Sequence, residues 1–185
     1  ELGTRGSAET RAKETSAANR ILKLAFRTNL GIPDGNIELS QENMTSVIRQ
    51  IRQHRPRLVI APHWEERHYD HVHASRLISE AAFYSGLAKI DTGQPAWRPF
   101  RVLYYLGRIG VRPSFVVDVS DSFDDKMKAL RCYSTQVDAG KAWKSRPSGP
   151  ATLISTPYAM QVFETLTRYY GAMIGVAHGE DRKST

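Results

Sequence analysis

Four of the six histidines of this chain, His63, His68, His71 and His73, fall in one short polar segment, and chemistry is most readily found there. His68, Asp70 and His71 stand together in the run Arg67–His71 (RHYDH). On a helical turn, positions 68 and 71 share a face. Two neutral imidazoles with a carboxylate suit zinc or a similar borderline metal. A catalytic zinc takes three protein ligands and keeps one place for water, and this stretch alone does not supply all three. The plainer reading of the same residues is a polar loop with surface histidines. His63 follows a strand pattern and His73 faces away from His71, so both read as structural or solvated. Cys132, in a helical pattern, reads as a small buried apolar residue rather than a catalytic thiol.

The elements around these residues are legible. The apolar run Leu58–Ala61, stopped by Pro62, is short enough for a buried strand. Ala74, Leu77, Ile78, Ala81 and Ala82 then recur at helical spacing. The histidines therefore sit between a strand end and a helix start, where ligands gather in α/β proteins. Upstream, Ser7 caps a helix with Glu9 in its first turn. Residues 31–35 (GIPDG) are turn chemistry. Ser40 caps a second helix carrying the stripe Met44, Val47, Ile48 and Ile51. Downstream, residues 101–106 and 114–119 read as strands and residues 120–136 as a helix. Residues 139–157 are Gly-, Pro- and Ser-rich and read as a loop. A final helix is predicted over residues 158–172, capped by Ser155 or Thr156, with a frayed polar tail from His178. Alternating α and β elements predict a layered α/β fold, in a single domain over residues 1–185.

Composition narrows the partners. The hydrophobic fraction of 41% is ordinary and sufficient for one core. The net charge of +7 suits an anionic partner. The cations are scattered, with no block of five, so a nucleic-acid surface is not expected. One cysteine permits no disulfide within the chain, which fits a reducing cytoplasm. No apolar run of about 18 residues occurs, so no membrane span is expected.

Several segments together carry a family resemblance: residues 1–14 (ELGTRGSAETRAKE), 29–35 (NLGIPDG), 55–71 (RPRLVIAPHWEERHYDH), 113–130 (PSFVVDVSDSFDDKMKAL) and 175–181 (GVAHGED). In this order they resemble the LmbE-like, or PIG-L, zinc-dependent N-acetylglucosaminyl deacetylases. They look closest to the bacillithiol branch, which deacetylates N-acetylglucosaminyl malate. The resemblance implies a Rossmann-like three-layer α/β/α sandwich with a mostly parallel sheet, a Zn2+ cofactor and a small-molecule glycoside substrate. It also implies assembly into homo-oligomers.

The family's second metal motif, His-Pro-Asp-His, stands here as His68-Tyr69-Asp70-His71. By that match His71 is the zinc ligand. His68 is the general acid, or the cation that stabilises the tetrahedral oxyanion. Asp70 accepts the His68 ring N–H and holds that ring charged and oriented. Arg11 matches a sugar-binding arginine and Asp34 an aspartate that holds sugar hydroxyls. Arg67 is placed to pair with a malate carboxylate. The plainer readings are surface salt bridges for the arginines and a turn residue for Asp34. His178 stands where the branch often has Tyr, and a role in closing the site follows from that position. The family's first motif, Ala-His-Pro-Asp-Asp, has no counterpart in these 185 residues. The expectation is a fragment that lacks the first strand and helix, inactive by itself. The alternatives are a sugar-binding domain without the chemistry and, more remotely, a basic nucleic-acid binder.

Overall fold

The computed structural model describes residues 6–107, 111–137, 153–156 and 158–184. Their contacts divide the chain into two compact units, Glu1–Thr28 with Val116–Glu180 and Asn29–Phe115 with Asp181–Thr185. Among the described residues, five α-helices and a four-stranded mixed sheet make this an α/β fold, the class expected. The strand order is β1-β2-β4-β3, with β1 at Leu58–Pro62, β2 at Arg101–Tyr105, β3 at Phe115–Asp118 and β4 at Gly179–Ser184.

The unit built on residues 29–115 holds the histidines. Helix α2 (Gln41–His54) starts where Ser40 accepts the Asn43 N–H at 3.2 Å. It ends at Arg55, which takes the left-handed conformation at φ 47°. Its stripe of Met44, Ile48 and Ile51 packs on Leu77, Ala81 and Ala82 of α3 (Tyr69–Tyr84), with Val47, Trp97 and Val102 around them. These residues form the unit's apolar core, so the helical period read from the sequence is the one that becomes buried. β1 and β2 pair in parallel, with Ile60 opposite Leu103. β4 runs antiparallel to β2, with Lys183 opposite Tyr104. With one parallel and one antiparallel pair, the described sheet is mixed where a mostly parallel one was expected.

A second difference is the tail. The sequence reading leaves it frayed, but residues 179–184 form β4. Its polar sequence conceals the strand. Asp181 is buried, and its carboxylate accepts the Leu106 N–H at 2.8 Å. One inward acid thus takes a place usually given to an apolar side chain.

The loop from α3 to β2 is gathered by a single side chain. Arg52, 2% exposed, donates through Nε to Ser85 O at 3.0 Å. Its Nη1 reaches Ile90 O and Thr92 Oγ1, both at 2.7 Å, and Gln94 O at 3.3 Å. Its Nη2 reaches Leu87 O at 2.8 Å. A guanidinium suits the task because it presents five donors in a fixed plane.

In the other unit, helix α1 (Ala8–Ile21) is capped by Ser7, which accepts the Thr10 N–H at 3.2 Å. Buried Glu14 receives Ser134 Oγ at 3.0 Å and both the N–H and the Oγ1 of Thr135 at 2.8 Å. It thereby fastens α1 to the turn that follows α4 (Phe123–Cys132). The helix expected over 120–136 begins instead with a 3-10 turn at Ser120–Ser122. Helix α5 spans Ala159–Ile174, and neither Ser155 nor Thr156 caps it: its cap position is Tyr158, without a side-chain bond. Cys132 is half-buried rather than buried. Most of the loop expected over 139–157 lies outside the described residues. No described helix is long and apolar enough to cross a membrane.

Candidate active site

Beyond β1, the segment His63–Arg67 leads into α3, and His68 becomes the cap of that helix. Its Nδ1 accepts the backbone N–H of Asp70 at 3.2 Å. Accepting that bond requires the Nδ1 lone pair, so the proton of the neutral ring sits on Nε2. Tyr69 occupies the first helical position, where any residue's amide lacks an intrahelical partner and a proline is readily accepted. Its side chain is 80% exposed, so Tyr in place of Pro asks nothing of the packing.

Asp70 is buried, and its Oδ2 accepts the N–H of Gly35 at 2.7 Å. Gly35 has φ 73°, a conformation that favours glycine, and its N–H is turned to Asp70 by the 31–35 turn. The bond joins residues 35 apart in sequence and ties that turn to the head of α3. It carries exposed Asp34 with it. Here the pairing differs from the expectation. Asp70 does not take a ring proton from His68. Its backbone donates to that ring, while its carboxylate is committed to Gly35.

The His68 and His71 rings are stacked, with centroids 5.0 Å apart and planes 26° from parallel. Both residues are exposed, as is Arg67, whose guanidinium makes no ion pair among the described residues. His73 is exposed, as expected. His63 is 2% exposed, with Nδ1 accepting the Glu65 N–H at 3.0 Å and a buried Nε2 that meets no hydrogen-bond partner among the described residues. It also stacks on Trp64 at 4.0 Å. Of the two readings left open for His63, structural or solvated, the structural one is realised.

One carboxylate went unremarked in the sequence. Glu66 lies against Gly107, where any Cβ would collide with it. Burial first, and the Glu66 charge second, push the Tyr105 phenol above its usual range. The glycine at 107 was the available signal.

A zinc centre needs three donors with converging lone pairs. Among the described residues no group of three or more His, Cys, Asp or Glu side chains is gathered in that way. Rings that present their faces to each other, beside a carboxylate already bonded to Gly35, do not make a complete metal site.

Arg11 and His178 belong to the other unit. The Arg11 Nε lies 3.5 Å from Glu14 Oε2, an ion pair within the helix whose acid is buried. His178 stacks on Phe123 with centroids 3.5 Å apart and planes 6° from parallel. Its Nδ1 is 3.0 Å from Thr167 Oγ1, whose own proton goes to Glu164 O at 2.9 Å. The Nδ1 therefore carries the proton, and Nε2 keeps the lone pair.

Comparison with known proteins agrees with the quoted motifs. The sequence model of the PIG-L family, described as GlcNAc-PI de-N-acetylase, matches residues 2–82. The conserved protein TT1542 from Thermus thermophilus, known from its crystal structure, is 33% identical. That match covers 99% of this chain and 76% of that one, with a TM-score of 0.86. The chain belongs to the PIG-L family.

Among curated relatives, the diacetylchitobiose deacetylase of Thermococcus kodakarensis is 26% identical over 181 residues, covering 92% of this chain. The chain spans 60% of the length of that relative. The N,N'-diacetylchitobiose deacetylase of Pyrococcus horikoshii is 21% identical and shares the fold, with a TM-score of 0.72 over all of this chain and 68% of that one.

Proposed function

We propose that this PIG-L chain serves the hydrolysis of the acetamide of an N-acetylglucosaminyl conjugate, consuming water and releasing acetate and a free amine. The observation that carries the reading is the 2.7 Å bond from Gly35 N–H to Asp70, which brings the 31–35 turn to the His68–His71 motif. Asp34 and Arg67 then flank the same helix start. Asp34 is assigned to sugar hydroxyls, and Arg67 to a carboxylate on the aglycone. N-acetylglucosaminyl malate, the substrate of the bacillithiol pathway, is the conjugate that uses Arg67, and the cytoplasm is the proposed compartment.

Of the proposed pair, His68 is the catalytic residue and Asp70 positions it. With Nδ1 held by the Asp70 amide, His68 offers a proton on Nε2. That N–H suits an acetamide oxygen as it gains charge in the tetrahedral intermediate. Asp70 acts as anchor, keeping the helix start and the turn in register. Zinc is proposed as the cofactor, with His71 as one ligand.

The test is acetate release by the full-length protein from N-acetylglucosaminyl malate and from diacetylchitobiose. Turnover of the malate conjugate is expected, with kcat lowered about 10²–10³-fold in His68→Ala. Arg67→Gln should raise KM for the malate conjugate about tenfold and leave diacetylchitobiose unaffected. Glycoside binding without acetate release from either compound would replace the enzyme by a sugar-binding domain. His71→Ala should abolish stoichiometric zinc, and unchanged zinc content would refute that ligand.

A further inference from the structure

A second concave site lies in the same unit, farther along α3 from His71. A cavity of about 330 Å³ is lined by Ser79, Phe83, Arg98, Phe100, Arg101 and Tyr104, among others. Its α3 residues follow His71 by eight to twelve positions, roughly 12–18 Å along a helix axis. The volume is at the lower end of the range of small-molecule sites.

The lining is unusual in its charge. The Arg98 Cζ stands 4.5 Å from the Phe83 ring centroid, and Nη2 donates to Phe83 O at 3.1 Å. The Arg101 Cζ stands 5.5 Å from the Phe100 centroid. Neither guanidinium is paired with a carboxylate among the described residues. Arg98 is also held in place. Gly86 lies so close to its side chain that a Cβ there would collide with Nε. Tyr104 donates its hydroxyl proton to Ser79 Oγ at 3.1 Å, which leaves the Ser79 proton free to donate. The cavity thus presents donors and positive charge, and no anion to answer them. Beside them, Phe100 is 75% and Phe83 55% exposed. Exposed aromatic rings at a concave site are what a flat apolar ligand covers.

We propose that this cavity binds a small aromatic anion, a carboxylate or phosphate carried on a planar ring. The arginines take the anionic group through paired N–H donors, and the ring lies against Phe100. A ligand of one ring and one anionic group matches the volume. The concavity favours a small molecule over a protein surface.

The test is titration of the isotope-labelled protein with phenyl phosphate, benzoate and inorganic phosphate, followed by NMR. Phenyl phosphate and benzoate should shift the amides of Ser79, Phe83 and Phe100, and the tighter of the two names the anionic group. Inorganic phosphate should bind at least tenfold more weakly. Arg101→Gln should weaken the aromatic anion tenfold or more. Phe100→Ala should bring its affinity down to that of inorganic phosphate. His71→Ala should leave its affinity unchanged, which separates this site from the deacetylase reading. Shifts confined to His68–His71 would overturn the proposal, as would an unchanged Kd in the Arg98→Gln, Arg101→Gln double variant. Self-association that buries Phe100 and is lost in Phe100→Ala would overturn it too, by giving the cavity to a second copy.

Discussion

Replacing Arg52 by Met keeps much of the stem and removes five hydrogen-bond donors. The guanidinium serves four backbone carbonyls and the Thr92 hydroxyl, spread over residues 85–94. A hydrogen bond involving a charged group contributes about 1.5–3 kcal/mol net. At the lower limit, five such bonds come to about 7 kcal/mol. Keeping a cation only 2% exposed, with no carboxylate paired to it among the described residues, costs several kcal/mol in the wild type. The variant escapes that cost, so the net loss should be about 3–5 kcal/mol. Arg52→Lys should recover less than half of it, because one ammonium cannot reach acceptors spread along that loop. Urea unfolding read as the shift in midpoint at constant m measures the loss. Amide exchange should quicken most at Leu87 and Ile90, whose N–H groups bond within that loop to Tyr84 O and Leu87 O. A loss below about 1 kcal/mol for Arg52→Met would refute the argument, since the carbonyls would then find water at no cost.

Glu14→Ala strands the Ser134 and Thr135 donors in a buried place and should destabilise by about 2–4 kcal/mol; a midpoint shift equivalent to less than about 0.5 kcal/mol would contradict that. Ser120→Ala removes the side-chain bond to Asp118 at 2.7 Å, the larger of the two causes that hold the Asp118 carboxyl below its usual range. The 2.9 Å bond from Ser120 N–H, the second cause, remains. The Asp118 midpoint, followed by carboxyl-carbon NMR, should therefore rise in the variant. Because the folded value is depressed, the associated stability is present above the unfolded value near ~3.9 and is lost as pH falls through the folded one; the variant should show less of that acid-side loss. Gly35→Ala forces a Cβ into φ 73° and should cost about 1–2 kcal/mol, with the Gly35–Asp70 bond weakened in proton exchange at residue 35. An unchanged exchange rate would mean that another residue holds the turn.

How much of this was legible depended on whether a residue's task matched its chemical type. Helix α2 could be read in full: Ser40 caps it, and its apolar period is the buried face. β1 and β2 were legible because β-branched and aromatic residues fill them. β4 was not, because GEDRKS has no apolar alternation and its inward residue is an acid that caps a backbone amide. Arg52 was invisible for the same reason. An arginine in the last turn of a helix reads as a solvated residue suited to the dipole, and only the folded loop supplies the five acceptors. At the candidate site, the sequence pointed to His68, Asp70 and His71 and marked residues 31–35 as a turn, which the structure brings against Asp70. The sequence could not give the direction of the His68–Asp70 hydrogen bond. That direction is set by the cap geometry of α3, a property of the backbone rather than of the motif.

The same geometry divides the motif's labour. Asp70, buried and bonded to Gly35, is part of the scaffold. His68, two residues earlier, has one ring nitrogen in the scaffold and the other left for a ligand. His71 and Arg67 are exposed and carry no structural bond of comparable weight. A site built in this order, from anchor to hinge to reaching group, loses its fold when the innermost residue is changed and only its chemistry when the outermost is. Substitution along Asp70, His68 and His71 should therefore move from stability to activity in that sequence. A Pro-to-Tyr exchange at the helix start is harmless in such an arrangement, since position 69 contributes neither anchor nor donor.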